Sequence, residues 1–344
     1  MRKQRTFSCQ SRPWSDTTMA REFRLAVHPS DRILLGLLAL AAAVALLRWP
    51  PVGEELSTLV AIQMGLLVAF SIYSAAAARW QQSAWVQSLR PLATVAVVFT
   101  LYTSLGKLGV AAMPYLADGW LSRADNGLLG FDPSLAIQRF QTPAWVEFFS
   151  FVYGAFIPYI YLSMFLGCLG RPPLERGQFL TGWVCTYTIS YLGYIFLPAH
   201  GPVVYQAQQY DVALQGGLFY RLVVLGNEAA GGLQGVFPSL HVGCSVYLCL
   251  FDVKTNRLRG LTYLPIVLLI YVATIFLRYH YVIDLIAGSV IPVACVALGE
   301  RTFLLWARDR RAAGLPALPG GEADDLPGLS GDGAARAALV LSSH

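Results

Sequence analysis

A chain of 344 residues that is 56% hydrophobic and only 13% charged departs from soluble domains, where about a quarter of residues carry charge. With a mean hydropathy of +0.52 it reads as an integral membrane protein. The formal charge of +5 comes from basic residues near the termini and in short connecting segments; that excludes a nucleic-acid binder, which needs a basic face with base-reading or stacking groups.

In chain order, residues 1–32 form a basic N-terminal segment holding Arg2, Lys3, Arg5, Arg12, Arg21, Arg24 and Arg32. It has no apolar run of the signal-peptide kind, and Met19 offers an alternative start. A helix that crosses a bilayer needs roughly 20 mostly apolar residues. Stretches of that kind fall near 33–48, 57–78, 91–116, 147–170, 177–198, 237–252, 261–279 and 281–303. The first and sixth are short, and the third carries Lys107. The expected fold is all-α: a polytopic membrane bundle of about eight transmembrane helices. The transmembrane domain is expected over 33–306, followed by a disordered cytoplasmic tail over 307–344, rich in Gly, Ala, Pro and Asp. Five of the six cysteines, Cys168, Cys185, Cys244, Cys249 and Cys295, lie in apolar runs without ligand spacing. They read as small buried hydrophobes.

Lysine and arginine counts in short loops set the orientation. Arg79, Arg90, Arg171, Arg176, Lys254, Arg257 and Arg259 mark one side, whereas the long stretch 199–236 holds only Arg221. Both termini are therefore expected in the cytoplasm. The segments FPSLH and RYHYVID then reach the outer face, whether periplasmic, extracellular or lumenal. Loops 117–146 and 199–236 exceed simple turns and are expected to fold over that face.

In LRYHYVIDLIAG (277–288), His280 and Asp284 stand four apart, on one face of a helix. A carboxylate that accepts one ring N–H fixes the tautomer and frees the other nitrogen for nucleophilic or base chemistry. Taken alone, the pair fits equally well an interfacial histidine satisfied by its neighbour, although ionisable groups in membrane helices weigh towards function. In GVFPSLHVGCS (235–245), Pro238 suits a first helical turn. The free N–H groups after it, with the Ser239 hydroxyl, suggest an anion site below His241. Together the two segments supply one histidine to attack phosphorus and another to protonate the departing alkoxide.

At these residues the chain resembles the type-2 phosphatidic acid phosphatase superfamily. FPSLHVGC and HYVIDLIAG are similar to its second and third motifs, and more closely to the inositol phosphorylceramide synthase branch, the lipid phosphoinositol transferases. Phosphatases of the superfamily carry PSGH and a Ser-Arg pair before the third motif; here Leu240 replaces the glycine, and Ala273 and Thr274 occupy the Ser-Arg positions. DNGLLGFDP (125–133) and FLPAHGPVVY (196–205) resemble the family more loosely. The resemblance implies a six-helix phosphatase-like core with two added N-terminal helices. It also implies His280 as nucleophile, Asp284 as its orienting partner, His241 as acid, and a phosphohistidine intermediate. No metal or other cofactor is expected, and the partners are lipids: a phospholipid donor and a ceramide-like lipid alcohol acceptor.

The superfamily's first motif, Lys followed six residues later by Arg-Pro, is missing after Lys107. The candidates for phosphate contact are Arg278, then Lys107, with Ser239 and His200 on the same side. For Arg278 and Lys107 the alternative is a side chain that snorkels to the interface, and for His200 a plain loop residue. Tyr279, Tyr281, Trp120 and Trp145 read as interfacial belt aromatics. The leading function is transfer of a phospho-alcohol head group, phosphoinositol by resemblance, to a lipid hydroxyl. The alternatives are a lipid phosphate or polyprenyl diphosphate phosphatase and, from another class, a transporter or scaffold, disfavoured by the absence of an internal repeat.

Overall fold

The computed structural model describes residues 24–48, 53–81, 83–230 and 232–318. Most of the basic N-terminal segment, Cys9 and the expected tail from 319 onward lie outside the described residues.

Ten helices of twelve residues or more make up the described chain: α1 (Pro29–Leu47), α2 (Gly53–Arg79), α3 (Ala84–Ala112), α4 (Asp118–Leu129), α5 (Pro143–Leu169), α6 (Pro173–Phe196), α7 (Leu218–Ala229), α8 (Leu240–Thr255), α9 (Arg257–Phe276) and α10 (Val282–Ala312). Single turns at Pro133–Ala136 and Pro202–Tyr205 sit in the loops, and no strand occurs among the described residues. The starts follow local chemistry. Prolines open α1, α5 and α6, where a missing N–H costs nothing. Asn256 caps α9 by accepting the Arg259 N–H at 3.1 Å.

Six helices, α1, α2, α3, α5, α9 and α10, are long and apolar enough to cross a membrane. The chain is a multi-pass membrane protein. The other two expected spans are helical as well. α8 has only 16 residues, and α6 is diluted by polar side chains that face inward. Thr181, Thr186 and Ser190 are all buried, and the two threonines donate to the carbonyls one turn back, Gly177 and Gly182, at 2.7 and 3.0 Å. α6 is the central helix, packed on α1, α3, α8 and α10, and it buries Trp183, Tyr187, Tyr191 and Tyr194 in the main core. Lipid tails are as apolar as the core, so close packing and satisfied polar groups hold such helices together.

Three boundaries differ from expectation. α3 begins at Ala84 and carries Pro91 inside, a placement that membrane helices tolerate. α10 continues past 306 to Ala312, because Arg310 is fully buried and donates to the carbonyls of Leu25 (2.6 Å) and Pro316 (2.8 Å). Pro238 precedes the N-cap Ser239 and is not in the first turn of α8.

The long loops fold over one end of the bundle. α4 buries Asp118, Leu121 and Asp125, spaced to share one helical face, and packs on α10. α7 lies against α5 with Leu218, Leu222 and Leu225 exposed. At the other end the buried pair Arg90–Asp31 (2.6 Å) joins α3 to α1, and Asp252 takes both Arg171 and Arg259.

Candidate active site

The site forms where α8 and α10 begin, under the two long loops. After α9 the chain reverses at Arg278, whose φ is +64°, and the amides of Tyr279 and His280 return to the Thr274 carbonyl at 3.0 and 3.3 Å. Tyr281 caps α10. In the first turn Asp284 accepts the Tyr281 N–H at 2.9 Å, and the same Oδ2 lies 3.4 Å from His280 Nδ1. On the far side of that ring, Nε2 lies 3.4 Å from Nδ1 of His241. Two histidines 39 residues apart in sequence thus meet ring to ring, and all three groups are buried.

Close contact between helices makes this possible. The Ser239 N–H donates to the Asp284 carbonyl at 3.2 Å. A β-carbon at Gly288 would stand 2.6 Å from the Ser239 carbonyl oxygen, so the glycine of LIAG lets α8 and α10 approach. From above, Asp125 accepts the N–H groups of Val282 (2.7 Å) and Ile283 (2.8 Å) at the start of α10. Burial pushes its carboxyl upward against the pull of those donors. Asp118, seven residues earlier, accepts the Tyr281 hydroxyl (3.0 Å) and the N–H groups of His200 (2.9 Å) and Gly201 (2.8 Å). α4 is therefore a strap that holds both the α10 start and the loop after α6.

His241 is held between rings. Tyr153 stacks on it at 4.3 Å and 27°, and Phe156 lies at 4.4 Å. They occupy positions i and i+3 of α5, one face of the helix. For His280, burial lowers the pKa to about 3, with a hydrogen bond to the Val236 backbone working the other way. The ring is a neutral imidazole, with Asp284 positioned to accept the Nδ1–H and Nε2 turned towards His241 Nδ1.

Two cavities adjoin the pair. A small polar pocket has His280, Lys107, Asn227 and Gln234 in its lining, and Lys107 is the one cation among the described residues that form it. Gly106 sets this up: a β-carbon there would meet the Gln234 backbone at 2.9 Å, so the 232–236 loop lies directly on α3 beside Lys107. A larger cleft of about 680 Å³ runs between α3, α5 and α7, mostly apolar, and reaches His241. The two share Tyr102, Thr103, Tyr153, Asn227 and Ala230 as walls.

The structure thus brings His241, His280, Asp284 and Lys107 together. It does not bring in Arg278, whose guanidinium is committed to Gln141, to the Val212 carbonyl at 2.7 Å and to the Tyr210 ring at 3.8 Å. The left-handed backbone at Arg278 sends its side chain into the outer loops. Ser239 serves as N-cap, accepting the Val242 N–H at 3.5 Å, and lines neither cavity. His200 supports the pocket from behind, Nδ1 being 2.9 Å from the Leu233 carbonyl. Trp120 and Trp145 are half exposed, as belt residues would be, but Tyr279 and Tyr281 are buried. Sequence reasoning missed Asp118, Tyr153 and Phe156. It noted Asp125 only as the first residue of DNGLLGFDP, though the seven-residue spacing of the two aspartates was a usable signal.

A PA-phosphatase related-family protein of Dictyostelium discoideum is 32% identical over 126 residues, covering 36% of this chain and 23% of that relative. The match thus spans under a quarter of that relative's length. No solved structure matches. The PAP2 superfamily profile matches residues 119–298, more than half of the chain. That interval contains both histidines, Asp284, the aromatic pair on α5 and Asp125 of the α4 strap, but neither Asp118 nor Lys107. The chain belongs to the PAP2 superfamily.

Proposed function

We propose that this protein is a lipid phosphotransferase that moves a phospho-alcohol head group from a glycerophospholipid to a lipid hydroxyl. The observation that carries the proposal is the junction of the polar pocket, with His280 and Lys107, and the apolar cleft that ends on His241. A phospholipid has the matching division: a charged phosphate for the pocket and acyl chains for the cleft.

In the proposed cycle His280 Nε2 attacks phosphorus. The N–P bond forms as the P–O bond to the diacylglycerol oxygen breaks, and His241 gives that oxygen its proton. Asp284 holds Nδ1–H and stabilises the charge that grows on the ring. Lys107 offsets charge on the phosphoryl oxygens. The acceptor hydroxyl then loses its proton to His241 as its oxygen attacks phosphorus, and the N–P bond breaks. Neither step requires a metal. The loop charges favour cytoplasmic termini and a site on the outer face.

Transfer is favoured over hydrolysis by Leu240 and by Thr274, which stands where the phosphatases carry arginine. Thr274 is buried and its carbonyl anchors the His280 turn. Phosphoinositol as head group and a ceramide-like acceptor follow from the same resemblance to the synthase branch. The name of the Dictyostelium relative favours the second reading, a lipid phosphatase in which water resolves the intermediate.

The two separate in a detergent assay with head-group-labelled phosphatidylinositol. A transferase releases little free phosphoinositol alone and forms labelled sphingolipid when ceramide is added. Equal consumption with and without any lipid alcohol rules out transfer.

A further inference from the structure

A second polar pocket lies at the end of the bundle opposite the histidines, where α1, α3 and α6 begin and α10 nears its end. His28, Gln87, Arg90 and Arg176 line it, over the ring of Phe303. α3 runs from Arg90 to Lys107, so at about 1.5 Å per residue the two pockets stand roughly 25 Å apart.

Its polar groups are donors with capacity to spare. Arg90 is buried and gives Nη1 to Asp31 at 2.6 Å, yet its Nε has no partner. The guanidinium of the half-buried Arg176 makes no protein hydrogen bond among the described residues, its backbone N–H donating to the Pro172 carbonyl at 2.9 Å. His28 Nδ1 is taken up by Ser30, lying 3.2 Å from its N–H and 2.7 Å from its Oγ, which leaves Nε2 as the nitrogen for a ligand, and the ring is fixed against Phe303 and Trp306 at 5.3 and 5.5 Å. Burial, then the charges of Arg90, Arg32, Arg310 and Arg176, hold His28 well below its ordinary pKa, as expected of a neutral ring in a positive field. Among the nearby acids, Asp31 balances the charge of Arg90, Glu175 lies outside the pocket lining and Asp309 acts on Arg32, so Arg176 is the uncompensated charge on the lining. Trp80 and Trp85, exposed where α2 ends and α3 begins, mark the depth of a membrane interface.

We propose that this pocket binds a phosphate anion, carried on an anionic lipid of the leaflet opposite the catalytic histidines or free in solution. Two guanidinium groups, an imidazole N–H and a carboxamide suit phosphate oxygens, and basic pockets between transmembrane helices hold lipid head groups in this way. The site is independent of the catalytic reading.

The test uses the full chain in nanodiscs of phosphatidylcholine, of phosphatidylcholine with phosphatidylglycerol, and of phosphatidylcholine with inorganic phosphate added. Native mass spectrometry and the unfolding midpoint are read in each. Phosphatidylglycerol is expected to be retained and to raise the midpoint by several degrees. Arg176→Gln and Gln87→Leu should each weaken retention about tenfold, whereas His280→Ala should not. A shift reproduced by inorganic phosphate identifies the free anion as sufficient; a shift with phosphatidylglycerol alone assigns the site to a lipid head group. Retention unchanged in both Arg176→Gln and Gln87→Leu, or lost only in His280→Ala, overturns the proposal.

Discussion

His280 Nε2 and His241 Nδ1 face each other across 3.4 Å, and only the first ring is backed by a carboxylate, Asp284. The proposed division of roles rests on that asymmetry. The ring with the carboxylate can carry a bond to phosphorus as its charge develops; the other, clasped by Tyr153 and Phe156, is left to move a proton. His280→Ala should abolish turnover and any acid-labile phosphoenzyme. His241→Ala should cut turnover by about 10²–10⁴-fold while labelled phosphoenzyme accumulates during the reaction. Label that survives His280→Ala removes this histidine as nucleophile.

Asp284→Asn tests the orienting role. Asp284 Oδ2 serves both His280 Nδ1 and the Tyr281 N–H, and an amide keeps the size while losing the charge. We expect KM to change little and kcat to fall by on the order of 10²-fold or more. An unchanged kcat would remove the aspartate from the chemistry. A fall in unfolding temperature without a kinetic effect would make it only the cap of α10.

How far the site was legible follows from what each residue depends on. His241, His280 and Asp284 announce themselves by spacing and by standing at the ends of apolar runs, where ionisable groups are expensive. The long apolar helices announce themselves by length and apolarity, α6 least clearly because its polar face points into the protein. The phosphate partner was another matter. Arg278 is adjacent to His280 in sequence, but a residue at φ +64° breaks the rule that neighbours in sequence share surroundings. Lys107 reaches the pocket only because Gly106 admits the 232–236 backbone, a contact across more than 120 positions that no local pattern encodes. The α4 strap was half legible, since two aspartates seven apart mark one face without naming the amides they bind.

Lys107 and Arg278 should therefore separate in experiment. Lys107→Gln should weaken the phosphate interaction and lower kcat/KM by about 10–100-fold, corresponding to roughly 1.5–3 kcal/mol for a charge-assisted hydrogen bond. Arg278→Gln should instead lower the unfolding temperature, since it strips contacts to Gln141, Val212 and Tyr210. Equal kinetic damage from the two would return Arg278 to the site.

The proton state of His280 gives a prediction about pH. Its pKa in the folded protein, about 3, lies below the ordinary histidine value near 6.5. The unfolded chain therefore binds the proton more readily. This group's contribution to stability is fully present above about pH 6.5 and declines as pH falls towards 3. Nitrogen NMR of labelled histidine should show the His280 ring unprotonated from pH 8 down to pH 5. A titration midpoint above 6 would contradict burial as the controlling influence.

Tyr153 stands at three junctions: it stacks on His241 at 4.3 Å, packs against Tyr279 at 4.8 Å, and forms a wall common to both cavities. The ring, not the hydroxyl, makes the first two contacts, so Tyr153→Phe should stay within about twofold of the unsubstituted enzyme. Tyr153→Leu removes the stack, typically worth about 0.5–1.5 kcal/mol for an aromatic pair, and opens the partition between pocket and cleft. We expect kcat to drop by about tenfold and the preference among acyl-chain lengths to broaden, because misplacing a proton-transfer group by a fraction of an ångström slows the chemistry. A set of phospholipid donors differing only in chain length distinguishes the two effects. If Tyr153→Phe is as impaired as Tyr153→Leu, the hydroxyl takes part, and Tyr153 touches the substrate head group directly.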